Sequence, residues 1–414
     1  MNDTKPFGVE TTLSDVCTNI TYGYTASATS ENTGVKFLRI TDIVPSRIDW
    51  ESVPFCKISP SDLDKYQIRE GDIVIARTGA TTGYNKTIKQ LPYPAVYASY
   101  LIKYDLDRLK ADSAFVGYVL QASNWYEYVD AIAGGSAQPG ANAKQLGSYP
   151  FILPSLPEQK AIASVLSSLD DKIDLLHRQN KTLEAMAETL FRQWFIEEAK
   201  EDWEEVPLSD YFKVKHGYAF KGEFITPEPT KYRLVTPGNF EIGGGFKSAK
   251  FKYYSSDVIP EDYVFNELDF VVTMTDLSKE GDTLGYPAFI PLHHKADVLY
   301  LHNQRVGKVQ FYDEKECKFF FYMLMKQDVY QQFIVGSCTG TSVKHSSPTT
   351  IGSFTFAKPP QEKMHDFDRI VGQKFAKIFV NQKQIQTLEN LRDTLLPKLM
   401  SGEVRVQYQT EEVA

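Results

Sequence analysis

LPSLPEQKAIASVLSSLDDKIDLLHRQNKTLEAMAETLFRQWF, residues Leu153 to Phe195, is the stretch from which the rest of the chain can be read. Its apolar positions run Ile162, Leu166, Leu169, Ile173, Leu176, then Asn180, then Leu183, Ala187, Leu190 and Trp194. The steps alternate four and three, the mark of an a/d helix seam. Pro154 and Pro157 stand where such a helix starts. A helix of about 40 residues is about 60 Å long. It cannot bury its own apolar stripe, so it needs a partner helix. Asn180 admits two readings: a buried polar residue that fixes register at a cost in stability, or a residue at a wet edge of the seam.

The partner is in the chain itself. LGSYPF (Leu146 to Phe151) returns as IGSFTF (Ile351 to Phe356), an offset of 205 residues. The same offset carries Lys172-Ile173 onto Lys377-Ile378, Thr182-Leu183-Glu184 onto Thr387-Leu388-Glu389, and Thr189-Leu190 onto Thr394-Leu395. Upstream the match persists with slips: Asp72 pairs with Asp269, and Gly83-Tyr84 with Gly285-Tyr286. A repeat on this scale sets the architecture. The second copy offers Phe367, Val371, Ile378, Ile385, Leu388, Leu395 and Leu399 as a rougher stripe. The economical fold is an intramolecular antiparallel coiled coil between the copies. The division is residues 1–152, a first globular domain; 153–200, a first helix; 201–357, a second globular domain; 358–404, a second helix; and 405–414, a tail.

The globular halves read as mixed α/β (α+β). GDIVIARTG and DFVVTM are short buried strands rich in Val and Ile, and VKFLRITDI and KYRLVTPGNF each run a strand into a turn. SAFVGYVLQASNWYEYV and KFFFYMLMKQDVYQQFI have helical apolar spacing, and Trp125, Tyr126, Phe319, Phe320 and Tyr330 within them read as core. A seam of only two helices leaves Leu175, Met186, Phe191 and Phe195 uncovered.

Composition bounds the function. Hydrophobic residues make up 42% and charged residues 24% of 414, an ordinary globular balance. No run reaches the ~20 apolar residues of a membrane span, and MNDTKPFGVE lacks the basic start and apolar run of a signal peptide. The four cysteines are scattered without a CxxC pair, so neither a disulfide framework nor a zinc knuckle is expected, and the expected location is a reducing cytoplasm. The net charge of −8 does not exclude DNA, because residues 151–205 alone carry twelve acidic against six basic side chains.

Chemistry-bearing motifs are missing. GATTGYNK (Gly79 to Lys86) lacks phosphate-loop spacing, and Gly243-Gly244-Gly245 lies in a polar loop. There is no HExxH, no GxSxG and no [DN]PP[YF]. His293, His294 and His302 have no cysteine or carboxylate at metal-site spacing and read as surface or loop histidines. Glu316-Cys317-Lys318 reads as a solvated helix start. No metal, catalytic set or bound cofactor is expected.

A duplicated globular module, a duplicated seam helix and no catalytic set lead to a resemblance. The chain resembles the specificity subunit of Type I restriction–modification systems over essentially its whole length. Leu153 to Phe195 looks like the family's central conserved region, P-x-x-EQ-x-x-I-A-x-x-L-x-x-L-D-x-x-I. PPQEKMHDFDRIVGQKFAKIFVNQKQIQTLENLRDTLLPKLMSGEV resembles the distal conserved region, with QEK where the first copy has EQK. RTGATTGY, GGSAQPGANAKQLG, TMTDLSKEGDTLGYPA, HNQRVGKV and GTSVKHSSP follow in family-like order.

The resemblance implies two target recognition domains related by a pseudo-two-fold, each reading half of a bipartite, asymmetric site in double-stranded DNA. It implies a coiled coil that sets the spacer and docks two methyltransferase (modification) subunits, and a separate motor-nuclease (restriction) subunit. S-adenosylmethionine, used to methylate adenine, belongs to the methyltransferase subunits, and the specificity chain is not itself a catalyst. Glycine-rich loops with Arg, Lys, Ser, Thr and Gln suit DNA contact. The candidates are Arg77, Thr78, Thr81, Thr82, Lys86, Ser136 and Gln138 in the first domain. In the second they are Thr275, Lys279, Arg305, Thr341, Ser342, Lys344 and His345. Two other classes stay open: a two-module scaffold for a protein or carbohydrate ligand, which would not bind DNA, and an enzyme fusion hiding a diverged nuclease or methyltransferase.

Overall fold

The computed structural model describes residues 7–45, 47–133, 140–276, 281–292, 298–313, 317–340 and 343–407. The chain forms two compact units: one of residues 1–172 with 389–414, the other of residues 173–388. The division cuts both long helices, Leu156–Arg192 and Gln361–Ser401, so each unit owns a length of both. Among the described residues no helix is long and apolar enough to cross a membrane.

In the first unit a four-stranded antiparallel sheet has the order Cys17–Tyr22, Leu101–Leu106, Ile73–Ala76, Asn85–Thr87. Lys36–Leu38 runs parallel to Ala95–Tyr97, and Val9–Thr12 pairs antiparallel with Pro150–Leu153. Helices Ser113–Val119 and Ser123–Ala133 bury Phe115, Trp125 and Val129 in one core with the sheet. Ile162 and Leu166 of the first long helix and Leu399 of the second close that core. The helices run antiparallel here: Arg392 Nη1 meets Asp170 at 3.0 Å, and Arg405 Nε meets Glu158 at 2.6 Å.

The second unit repeats this plan. Its four-stranded sheet has the order Phe212–His216, Val306–Phe311, Phe270–Thr273, Pro287–Phe289. Tyr232–Val235 runs parallel to Leu299–His302, here inside a five-stranded sheet. Glu205–Pro207 pairs with Thr355–Ala357. Helices Lys318–Met325 and Asp328–Gly336 bury Phe319, Phe320 and Tyr330. The repeat extends to single atoms. Lys103 binds Asp72 at 3.3 Å in the first sheet, and Lys308 binds Asp269 at 2.5 Å at the matching place in the second.

The seam in the second unit has a defined interior. Ile173, Leu176 and Ile385 are buried together with Leu388 against them. Beyond them Asn381, fully buried, donates to Asn180 Oδ1 at 2.8 Å and to Gln179 Oε1 at 2.9 Å. Asn180 is half-buried and therefore has the register-fixing geometry, with Asn381 as its partner. Ala187, Phe191, Phe367, Val371, Phe375 and Ile378 continue the seam into the core of the second globular domain. Four details differ from the sequence reading. Phe191 is 2% exposed and Phe195 is half-buried, stacked edge-on against Phe320 and Phe367, because the domain's own helix covers them. Leu175 and Met186 do remain exposed. Cys317 is a buried helix cap and not a solvated start. His302 is no surface histidine: it ends a central strand, 1% exposed, and its Nε2 lies 2.8 Å from Val306 O. His293, His294 and Glu316 lie outside the described residues.

Two stability outcomes follow from these buried polar groups. Lys103→Met leaves Asp72 charged and unpaired, and should cost about 3–5 kcal/mol, whereas Lys103→Met with Asp72→Leu should recover most of that loss. Urea denaturation of the three proteins checks this; equal losses in single and double variants would refute it. Burial, aided by Lys215, Lys308 and His216, pushes the His302 pKa down from 6.5 to about 4. The folded state therefore holds the neutral ring. Its contribution is full above pH ~6.5 and is lost as pH falls towards about 4, the loss reaching on the order of 3 kcal/mol at the acid end. The unfolding midpoint of His302→Gln should depend less on pH between 6.5 and 4 than that of the wild type; parallel curves would show that the ring is charged when folded.

Candidate nucleic-acid interface

The strand Ile73–Ala76 ends at a rim built from three chain segments. Arg77 N donates to Tyr100 O at 3.0 Å, and Ala141 N donates to Arg77 O at 3.0 Å. Thr78 forms an isolated bridge with Gly140. A 3-10 turn, Gly79–Thr81, follows, and Thr82 Oγ1 donates to Gly79 O at 2.7 Å. Gly83 returns the chain, its N donating to Ala76 O at 2.8 Å. Its φ is +87°, and a Cβ there would lie 2.9 Å from Val129, so only glycine fits. Trp125 Nε1 holds the same turn by donating to Gly83 O at 2.8 Å.

The second unit builds the same rim from matching atoms. Met274 N donates to Arg305 O at 3.0 Å, and Ser346 N donates to Met274 O at 2.9 Å. Thr275-Asp276 pairs with Lys344-His345 where Thr78 bridges Gly140 in the first. Gly285, with φ +79°, returns the chain to Thr273 O, and a Cβ there would lie 2.8 Å from Ile334.

The candidates from sequence fall on these rims unequally. Arg77, Thr78, Thr81 and Thr82 are half-buried along the first. Lys86 sits on the strand Asn85–Thr87, its Nζ donating to Pro45 O at 2.7 Å, and burial lowers its pKa. Thr275 is buried, with Oγ1 3.0 Å from Nδ1 of the exposed His345. Lys344 is half-buried and Arg305 exposed. Ser136, Gln138, Lys279, Thr341 and Ser342 lie outside the described residues.

Sequence reading passed over the tyrosines. Tyr22, Tyr84 and Tyr100 are 42%, 39% and 58% exposed around the first rim, although tyrosine usually buries its ring. Tyr22, which ends one strand, and Tyr100, in the turn just before its neighbour Leu101–Leu106, reach the rim from positions 78 residues apart in the chain, beyond any local pattern. One signal was available: TYGYTA and KHGYAF share a Gly-Tyr step, Gly23-Tyr24 and Gly217-Tyr218. In both places a Cβ on the glycine would clash with a neighbouring backbone carbonyl, that of Ala98 or Asn303. A shallow depression of about 370 Å³ adjoins the first rim, lined by Tyr24, Phe37, Arg39, Ala98, Ser99 and Tyr100 among others.

Known proteins share this plan. Residues 9–185 match the family described as Type I restriction modification DNA specificity domain. The chain is 29% identical over 317 residues to the Type I restriction enzyme MjaIX specificity subunit of Methanocaldococcus jannaschii, covering 71% of this chain and 70% of that one. It is 22% identical over 418 residues to the putative MjaX specificity subunit of the same organism, covering 95% and 93%. The fold matches the crystal structure of the Type I restriction–modification S subunit from M. genitalium with a TM-score of 0.59 at 16% identity, over 99% of each chain. The repeated domain and the paired long helices agree with these relatives: the chain is similar along most of its length to Type I restriction–modification specificity subunits, and residues 9–185 carry the matched specificity domain.

Proposed function

We propose that this chain is the DNA sequence-recognition subunit of a cytoplasmic Type I restriction–modification complex, each recognition domain reading one half of a bipartite, asymmetric site. The observation that carries this reading is one rim built twice on matching backbone hydrogen bonds, with different side chains at its corresponding positions: Arg77 against Met274, Tyr100 against Arg305, Ala141 against Ser346. A shared scaffold with unlike side chains suits two modules that make the same kind of contact with different base pairs.

The long helices set the spacing of the half-sites and dock two methyltransferase subunits. Exposed Leu175, Met186 and Val380 on those helices are apolar surface available for docking. Catalysis then lies outside this chain: the methyltransferase subunits bring S-adenosylmethionine, and a motor-nuclease subunit cuts unmethylated DNA.

Replacing residues 203–356 with the corresponding segment of a relative should change one half of the methylated motif and leave the other half as it was. Methylome sequencing of cells carrying the chimera and its modification subunit reads this directly. A folded chimera that altered both half-sites would refute the assignment of one domain to one half-site.

A further inference from the structure

Among the described candidates, Arg77 is held in a way that no other is. Its backbone is clamped on both sides, by Tyr100 O and by Ala141 N. Its Nε donates to Ser99 O at 3.1 Å, and the guanidinium carbon lies 5.1 Å from the centre of the Tyr22 ring. Tyr22 is itself anchored, its hydroxyl accepting from Ala143 N at 3.0 Å. Among the described residues the two terminal nitrogens, Nη1 and Nη2, make no hydrogen bond and no carboxylate pairs with the group. The result is a planar two-pronged donor fixed at its base and stacked on one face.

Fixing the group in advance removes much of the rotamer entropy, about 2 kcal/mol, that a free arginine loses on binding. A phosphate contact gains little from this, since a mobile lysine serves as well. A base edge demands it, because two parallel N–H bonds must meet two acceptors at set positions. Guanine offers that pair, O6 and N7, in the major groove. The surroundings agree: among the described residues those that touch Arg77 (Tyr22, Ser99, Tyr100, Thr78 and Gly140) are uncharged, and Arg39, in the adjoining depression, is paired with Asp42 at 3.0 Å, where a phosphate track would gather several free cations.

The second domain lacks this device. Buried Met274 stands in the place of Arg77 and exposed His216 in the place of Tyr22, and the arginine has moved to position 305, the counterpart of Tyr100. Resting on the DNA-reading role proposed above, we infer that Arg77 is a specificity-determining residue of the first recognition domain, its Nη1 and Nη2 reading the O6/N7 edge of one guanine in that domain's half-site.

The test uses the full complex with its modification subunits. Methylome sequencing first defines the motif. Binding is then measured to short duplexes in which each base pair of the motif is exchanged singly, for wild type, Arg77→Ala and Arg77→Gln. Both variants should lose roughly 5- to 150-fold of preference at one G·C pair of one half-site. Preferences at the other pairs, including the whole second half-site, should persist and show that the variants fold. Weaker binding to every duplex alike, with the salt slope reduced by about one, would make Arg77 a phosphate contact and overturn the inference. Unchanged preferences, or no binding to any duplex, would overturn it too, since one base contact cannot carry the whole interface. A wild-type complex without sequence preference would instead refute the DNA-reading role itself.

Discussion

A 37-residue helix with an apolar stripe needs a second helix to cover it, and the fold of this chain is arranged around that need. The covering helix is supplied from the far end of the chain, and each compact unit contains an antiparallel length of both. In the first unit Ile162 and Leu166 meet Leu399 within the core of the recognition domain. In the second, Phe191 and Phe367 serve the seam and the domain at once. Seam and domain therefore share a single core, so a recognition domain cannot be exchanged without keeping its contact surface on the helices. This is why the repeated helical segments can frame two domains whose other residues differ.

Polar groups within the seam decide where it may pair. Apolar contacts tolerate sliding by a heptad. A buried amide does not, because a slip strands it without partners, at about 1–3 kcal/mol. Fully buried Asn381 meets Asn180 and Gln179 in only one register. Lys326, half-buried, meets Glu184 at 2.6 Å and Glu188 at 2.8 Å, and ties the end of the helix Lys318–Met325 to the same length of the first long helix. These contacts locate the domain along its helix, where apolar burial alone would leave neighbouring positions nearly equal in energy.

Much of this was legible because it is periodic. The four–three rhythm gave the long helix, the constant offset of 205 residues gave its partner, and Val- and Ile-rich runs gave the strands Ile73–Ala76 and Phe270–Thr273. What stayed hidden depends on contacts between residues distant in sequence. Asn381 falls at a seam position of its copy, between Ile378 and Ile385, but nothing local marks it as the partner of Asn180. His302 reads as a loop histidine from its polar neighbours, yet it is the last residue of a central strand whose parallel mate is 67 positions upstream. Phe191 looked exposed because a two-helix seam would leave it so, and only the packed domain covers it. The rim was half legible: its glycines and Arg77 stood in a family-like loop, while Tyr22 and Tyr100 arrive from the ends of other strands.

An acidic chain that reads DNA poses an electrostatic question, and the distribution of charge answers it. The excess of acid in residues 151–205 sits mostly just after the first long helix, in residues 193–205, while on the helix itself six acidic side chains face five basic ones, and Asp170, Glu158, Glu184 and Glu188 are paired with arginines and a lysine of their own unit. Paired carboxylates project little field beyond a Debye length of about 8 Å at physiological salt. Among the described residues the first rim meanwhile presents tyrosines, backbone and the fixed guanidinium of Arg77, with Arg39 nearby paired to Asp42. Such a surface gains little non-specific affinity from counterion release, which scales with the number of phosphates neutralised. Its discrimination must come from the fit of a few rigid donors to base edges. A reader of this kind depends on its scaffold, which is consistent with a structure that repeats the scaffold atom for atom and varies the side chains it presents.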